Sequence, residues 1–171
     1  MARRDEDIIS KTKRKKDSMA KYGERLNVLV NDIVMSCTES LTKLMFTIKN
    51  YLKEPDLISD SVLETLILDL ANELYFVGLE VEKLGIQEDV CKSIRQEAYT
   101  ISRQEFLGTV ADRNNLADRA VQGETLVQCV YSRSYKSVKI AMDAGYEMLN
   151  SLKKIMNRRI AELELSNSRY I

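Results

Sequence analysis

Residues 17–53, DSMAKYGERLNVLVNDIVMSCTESLTKLMFTIKNYLK, carry apolar side chains at steps of three or four positions. These positions are Met19, Tyr22, Leu26, Leu29, Ile33, Cys37, Leu41, Leu44, Ile48 and Tyr51. Such steps place all of them on one face of an α-helix. Pro55 follows, and the residue before a proline disfavours the α conformation, so we expect the helix to end near Lys53. The stretch therefore predicts one long amphipathic helix.

The same spacing predicts further helices along the rest of the chain. The sequence SVLE, with Ser61 and Glu64 three residues apart, is a capping box that predicts a second helix, and Gly85 is its expected C-cap. A third helix is expected over residues 88–107. Thr109 then caps a short segment, and the last helix is expected over residues 125–164.

Glycine and proline are scarce, with six and one in 171 residues. Strand-rich folds need many turns, so this scarcity favours a few long helices. We predict an all-α fold, an elongated bundle or hairpin of four to five helices with coiled-coil-like packing and two long helices, at about 17–53 and 125–164. The expected organisation is a basic N-terminal arm or frayed helix end (residues 1–16), a single helical domain (17–165) and a C-terminal tail (166–171).

The predicted helices differ in length, and this difference favours self-association. Two helices of about 55–60 Å would extend beyond partners of about 30–36 Å. Apolar residues near the end of the last helix would then stay uncovered, and an exposed apolar patch marks an interface. We therefore predict a homo-oligomer or a permanent partner. The predicted interface residues are Leu152, Ile155, Met156, Ile160 and Leu163.

Charge is segregated along the chain although the formal net charge is zero. Residues 1–25 hold nine Lys or Arg against five Asp or Glu, and residues 131–159 hold seven against two. Residues 54–89 hold ten acidic side chains and a single Lys83. The acidic second helix could lie beside the basic last helix, or each could face a partner of opposite charge.

Two groups of basic residues are candidates for contact with nucleic-acid phosphates. They are Lys11, Lys13, Arg14, Lys15 and Lys16 in the arm, and Arg133, Lys136, Lys139, Lys153, Lys154, Arg158 and Arg159 in the last helix. Ser132, Ser134 and Ser137 could donate hydrogen bonds to phosphate. Tyr131 and Tyr135 could stack on bases, although both lie on the core stripe. A solvated helix face is the alternative for the cations.

The composition argues against an enzyme and against a bound cofactor or metal. There is no His, which removes the commonest general base and metal ligand. The sequence KLGIQ lacks the glycines and the lysine placement of a phosphate-binding loop. The three separated cysteines, Cys37, Cys91 and Cys129, are interpreted as small buried hydrophobes of a reducing compartment.

No apolar run approaches the length that a membrane span needs, so we expect a soluble cytoplasmic protein. If the chain is viral, this means the host cytoplasm or the virion.

The C-terminal third carries ADRNNLADRAVQ (residues 111–122) and YSRSYKSVKIAMDAGYEMLNSLKKIMNRRIAELE (residues 131–164). A short helix with DR pairs, followed by a long Tyr- and Lys-bearing helix that ends in KK and RR, resembles small helical accessory proteins of bacteriophages, of the recombination-mediator type. The resemblance implies a non-enzymatic oligomer that binds single-stranded DNA without sequence preference and contacts a recombinase or single-strand-binding protein. It implies phosphate contacts for the seven basic residues of the last helix.

Two other functions remain open at this point. The chain could be a viral structural or assembly protein, such as a helical virion component or a scaffold, whose long apolar stripes form subunit contacts. It could also be an adaptor or inhibitor that binds a host protein through its acidic second helix.

Overall fold

The chain folds into four α-helices in a computed structural model that describes the backbone of residues 2–54 and 57–168, and the side chains of those residues except 2–19 and 167. The helices are α1 (Ala2–Tyr51), α2 (Asp60–Glu105), α3 (Val110–Ala120) and α4 (Gln122–Ser168). They pack as a bundle, which confirms the predicted all-α class.

The chain divides into two compact units. The first comprises Met1–Ile33 and Glu88–Ser134, and the second comprises Val34–Gln87 and Tyr135–Ile171. Each of the three long helices supplies a segment to both units, and α3 belongs to the first. The single domain over residues 17–165 stays a prediction.

The core of the second unit lies where its segments of α1, α2 and α4 meet. Its most buried side chains include Leu41, Ile48, Leu63, Leu70, Leu74, Val138, Leu149 and Leu152. Gly145 of α4 sits among them: a Cβ there would come within 2.7 Å of Leu74 Cδ2 and 3.4 Å of Leu41 Cδ1. The missing side chain therefore lets α4 approach the other two helices closely.

The first unit has smaller core residues, and a side-chain hydrogen bond joins two of its helices. Its buried residues include Val30, Ala117, Val121 and Val130. Arg95 Nε of α2 donates to Thr125 Oγ1 of α4 at 2.8 Å.

The predicted start of the short helix is confirmed, because Thr109 Oγ1 accepts from the Asp112 amide at 3.3 Å and donates to Asp112 Oδ2 at 2.6 Å.

Gly85 does not end a helix, so the predicted break between a second and a third helix is wrong. The only described glycine with positive φ is Gly108, which precedes α3 at φ 127°. Gly85 instead packs against the ring of Tyr135, where a Cβ would lie 3.5 Å from Cε2. Glycine inside a helix costs about 1 kcal/mol relative to alanine, a cost that continued packing of α2 outweighs.

Other predicted boundaries also need correction. The hydroxyl of Ser59 accepts from the Val62 amide at 3.3 Å, so Ser59 caps α2 and Ser61 lies inside its first turn. Helix α1 begins at Ala2 instead of near residue 17, and α4 continues through residues 166–168, the first half of the predicted tail. Pro55 and residues 169–171 lie outside the described residues.

The predicted oligomer patch at the end of α4 is only partly open. Leu152 is fully buried in the core of its own unit, so it cannot belong to an uncovered patch. Ile155 and Met156 are half-buried, whereas Ile160 and Leu163 are exposed. The premise of unequal lengths was also wrong, because α1, α2 and α4 have 50, 46 and 47 residues.

Candidate nucleic-acid interface

Four lysines of α4 in the second unit are exposed: Lys136, Lys139, Lys153 and Lys154. Their side chains make no hydrogen bond or ion pair with any described residue. Lys136 and Lys154 each stand nine residues from Gly145, which is two and a half helical turns. They therefore project from the side opposite the buried Gly145, about 27 Å apart along the axis. We call these four residues the α4 lysines.

Two carboxylates interrupt this surface. Asp143 and Glu147 are exposed and follow Lys136 by seven and eleven residues, so they lie on the same side of α4. Carboxylates repel phosphate and reduce the positive potential between the two lysine pairs. The α4 lysines thus form two cationic groups separated by an anionic one.

The adjacent arginines at the end of α4 behave differently. Arg158 is exposed, with Nε 3.6 Å from Glu162 Oε1. The side chain of Arg159 is only 17% exposed, and its Nη1 donates to the Ile58 carbonyl at 2.8 Å and to Asp60 Oδ1 at 2.6 Å. Arg159 is therefore less available to a phosphate than Arg158, because its guanidinium anchors α4 to the start of α2.

The polar residues of the segment SRSYKSVK (residues 132–139) are less available for contact with nucleic acid than the sequence suggests. Ser134 is fully buried, so its hydroxyl cannot reach a phosphate. Tyr135 is half-buried with its ring against Gly85, which favours a packing role over base stacking. Tyr131, Ser132 and Ser137 are half-buried.

The remaining predicted cations belong to the first unit. Arg133 is exposed and borders a cleft of about 230 Å³ between α1 and α4, whose walls include Leu26 and Val30. The predicted arm residues Lys11, Lys13, Arg14, Lys15 and Lys16 are part of helix α1, and their side chains lie outside the described residues.

The structure brings together two arginines that the sequence did not single out. A cleft of about 210 Å³ between α2 and α3, in the first unit, is lined by Gln96, Tyr99, Thr100, Arg103, Gln104 and Arg113. Arg113 is half-buried, and its Nε has no hydrogen-bond partner among described atoms. Guanidinium groups beside a tyrosine suit phosphate and base contacts. The signal in the sequence was the turn at Gly108, which folds α3 back toward α2.

Other kinds of site receive less support from the described residues. Among them, no three His, Cys, Asp or Glu side chains are grouped to hold a metal ion. No described helix combines the length and apolarity needed to cross a membrane. The cysteines are less buried than predicted, since Cys37 and Cys91 are half-buried and Cys129 is exposed.

One exposed ion pair on α1 shifts a pKa. Lys43 Nζ donates to Glu39 Oε1 at 2.5 Å, and this hydrogen bond and the lysine charge hold the pKa of the Glu39 carboxyl below its ordinary value. A carboxyl with a lowered pKa stabilises the fold at neutral pH and loses that contribution as pH falls through its folded pKa.

Comparisons with known proteins supply no template for this surface: no protein-family model, no curated protein and no solved structure matches the chain. What the surface binds must therefore be inferred from its own geometry and charge.

Proposed function

We propose that this chain is a non-enzymatic, self-associating helical protein that binds single-stranded DNA without sequence preference. The observation that carries the proposal is the set of α4 lysines, exposed on one side of α4 and unpaired among described residues. Lysines in this arrangement neutralise phosphates and displace condensed counterions, which supplies affinity without reading bases.

Two further features support the proposal. The cleft with Arg103, Arg113 and Tyr99 offers a second place for a phosphate and an unstacked base in the first unit. The resemblance of residues 110–164 to phage recombination-mediator accessory proteins implies the same ligand, together with a recombinase or single-strand-binding protein as partner. The protein's neutral formal charge fits modest affinity.

The test is fluorescence anisotropy with a labelled oligothymidylate at several salt concentrations. Four lysine contacts to a single strand predict a slope of log K against log salt of about −3. The double variant Lys136→Ala/Lys154→Ala should bind about tenfold more weakly at low salt, with a slope shallower by about 1.4.

The matched control is Lys43→Ala/Lys49→Ala, which removes the same charge from exposed positions of α1 in the same unit. Its affinity should stay within about twofold of the wild type, because these lysines belong to another helix and are not among the proposed phosphate contacts. Absence of binding to any oligonucleotide, salt-independent binding, or equal losses in both double variants would each overturn the proposal.

A structural or assembly role is the second candidate, and one observation favours it. Leu68, Tyr75, Leu79 and Ile86 of α2 are all exposed apolar residues. Negative-stain electron microscopy without nucleic acid tests this role. Ordered rings or filaments from a protein that binds no oligonucleotide would favour assembly over DNA binding.

A further inference from the structure

The side of α2 that faces away from the core of the second unit is apolar. Leu68, Tyr75, Leu79 and Ile86 are 64%, 64%, 43% and 63% exposed. They follow one another at steps of seven, four and seven residues, which keeps them on one line along the helix. We call these four residues the α2 outer stripe.

The buried residues of α2 lie on the opposite side. They are Leu63, Leu66, Leu70, Leu74, Val77, Val81 and Leu84. Leu70 and Leu79 are nine residues apart, which is two and a half turns, so they point in opposite directions. Helix α2 is therefore apolar on two sides, and no described residue covers the second. A helix with apolar residues all round normally has neighbours on both sides.

The α2 outer stripe is symmetric about residue 77. Leu68 and Ile86 lie nine residues before and after it, and Tyr75 and Leu79 lie two residues before and after it. If a second copy packs its own stripe antiparallel across a two-fold axis at this level, each Leu68 meets an Ile86 and each Tyr75 meets a Leu79. The pattern is thus complementary to itself, as a two-fold interface requires.

The charges beside the stripe favour the same arrangement. Lys83 is the single basic residue between residues 54 and 89. It lies about 40° from Asp69 around the helix, so both border the stripe on the same flank. The two-fold axis places Lys83 of one copy near Asp69 of the other. Measured along the helix axis, the two residues differ in height by about 3 Å. In a parallel arrangement this flank of one copy lies on the opposite side of the interface from the same flank of the other, so Asp69 and Lys83 of the two copies would not meet.

We propose that the α2 outer stripe is the interface of an antiparallel homodimer with a two-fold axis level with residue 77. This inference rests on the self-association in the proposed function and is independent of DNA binding. Each monomer buries four large apolar side chains. Lys83 pairs with Glu80 of its own helix but stays exposed, and its attraction to Asp69 of the other copy favours the antiparallel direction.

Sedimentation velocity on the full chain tests the interface. Leu68→Lys or Ile86→Glu alone places two uncompensated charges in the dimer, one for each copy, and should raise the dimer dissociation constant by about 30-fold or more. The double variant Leu68→Lys/Ile86→Glu should recover dimerisation, because in the antiparallel register each introduced lysine faces an introduced glutamate. In a parallel register the like charges would face each other instead.

The matched control is Phe46→Lys, an exposed apolar residue of α1 in the same unit, which should leave the dissociation constant unchanged. All positions are exposed, so circular dichroism should show unaltered helicity. A wild type that stays monomeric at protein concentrations of tens of micromolar overturns the proposal. This holds even if another protein is then found to bind the stripe. A double variant no better than the single ones, or an equal loss with Phe46→Lys, also overturns it.

Anisotropy with the same oligothymidylate separates this inference from the proposed function. A monomeric wild type that still binds DNA overturns the interface alone. A dimer that responds to the variants as expected but binds no DNA supports the interface while the DNA-binding proposal fails.

Discussion

Glycines inside the helices of this protein have different surroundings, and those surroundings decide what a substitution does. At Gly145 a Cβ would approach Leu74 Cδ2 to 2.7 Å, closer than side-chain carbons pack, and Leu74 is itself buried. At Gly78 a Cβ would meet nothing within 4 Å. Both glycines belong to the second unit and carry the same intrinsic helix penalty.

We expect Gly78→Ala and Gly145→Ala to change stability in opposite directions. Alanine at position 78 removes backbone entropy from the unfolded state and should raise the unfolding free energy by about 0.5–1 kcal/mol. Alanine at position 145 should lower it by about 1 kcal/mol, because the cost of overpacking exceeds the gain in helix propensity. Urea denaturation measures both values. A gain in stability at both positions would show that α4 can shift without cost at Gly145.

Residue-level roles were the least predictable part of the sequence. The pattern predicted Gly85 as a helix C-cap, yet this glycine is helical and packs on Tyr135, while Gly108 takes the left-handed conformation. Which role a glycine has depends on the side chain that a neighbouring helix brings to it. A periodicity argument along one helix contains no information about that neighbour.

At the scale of the helices, α4 is tied to the start of α2 by one arginine. Arg159 donates to the Ile58 carbonyl and to Asp60, whereas the adjacent Arg158 is exposed and lies 3.6 Å from Glu162 of its own helix. Adjacent residues of a helix point about 100° apart, so one faces α2 and the other faces away. The basic cluster in the sequence made both arginines equal candidates for phosphate contacts.

Arg159→Met should therefore destabilise the protein more than Arg158→Met. Loss of the charge-assisted hydrogen bonds from a mostly buried guanidinium should lower the unfolding free energy by about 1–2 kcal/mol. Loss of the exposed pair at position 158 should cost at most about 0.5 kcal/mol. Thermal unfolding followed by circular dichroism measures the difference. Equal melting temperatures would mean that Arg159 does not anchor α4 to α2.

The presence of the helices was easier to predict from the sequence than the residues at which they begin and end. The steps of three and four residues predicted helices where α1, α2 and α4 lie, although they divided α2 in two at Gly85, and the cap at Thr109 was correct. Tyr22 and Leu29 of the predicted α1 stripe are nevertheless exposed. Helices of about 50 residues drift relative to any fixed repeat, so a single stripe cannot stay on the core side for their full length.

At the scale of the whole molecule, the segregated charges are mostly not neutralised by one another. Of the four ion pairs found among described residues, three lie within one helix and only Arg159–Asp60 joins two. The predicted pairing of an acidic α2 with a basic α4 is therefore limited to that one contact in the part of the chain that is described. The α4 lysines and the acidic residues of α2 other than Asp60 and Glu80 are left for solvent or for partners.

This charge distribution gives a last prediction for α4. The variant Asp143→Asn/Glu147→Gln removes the carboxylates between the lysine pairs and raises the formal charge by two. We expect it to bind oligothymidylate about tenfold more tightly at low salt, because both lysine pairs can then neutralise phosphates of one continuous strand. The control Glu54→Gln/Glu64→Gln makes the same change in net charge at exposed positions outside α4 and should alter affinity less than about twofold, because neither carboxylate lies on α4 between the lysine pairs. Anisotropy titrations compare the two. Equal gains would show that total charge, and not the α4 surface, sets the affinity.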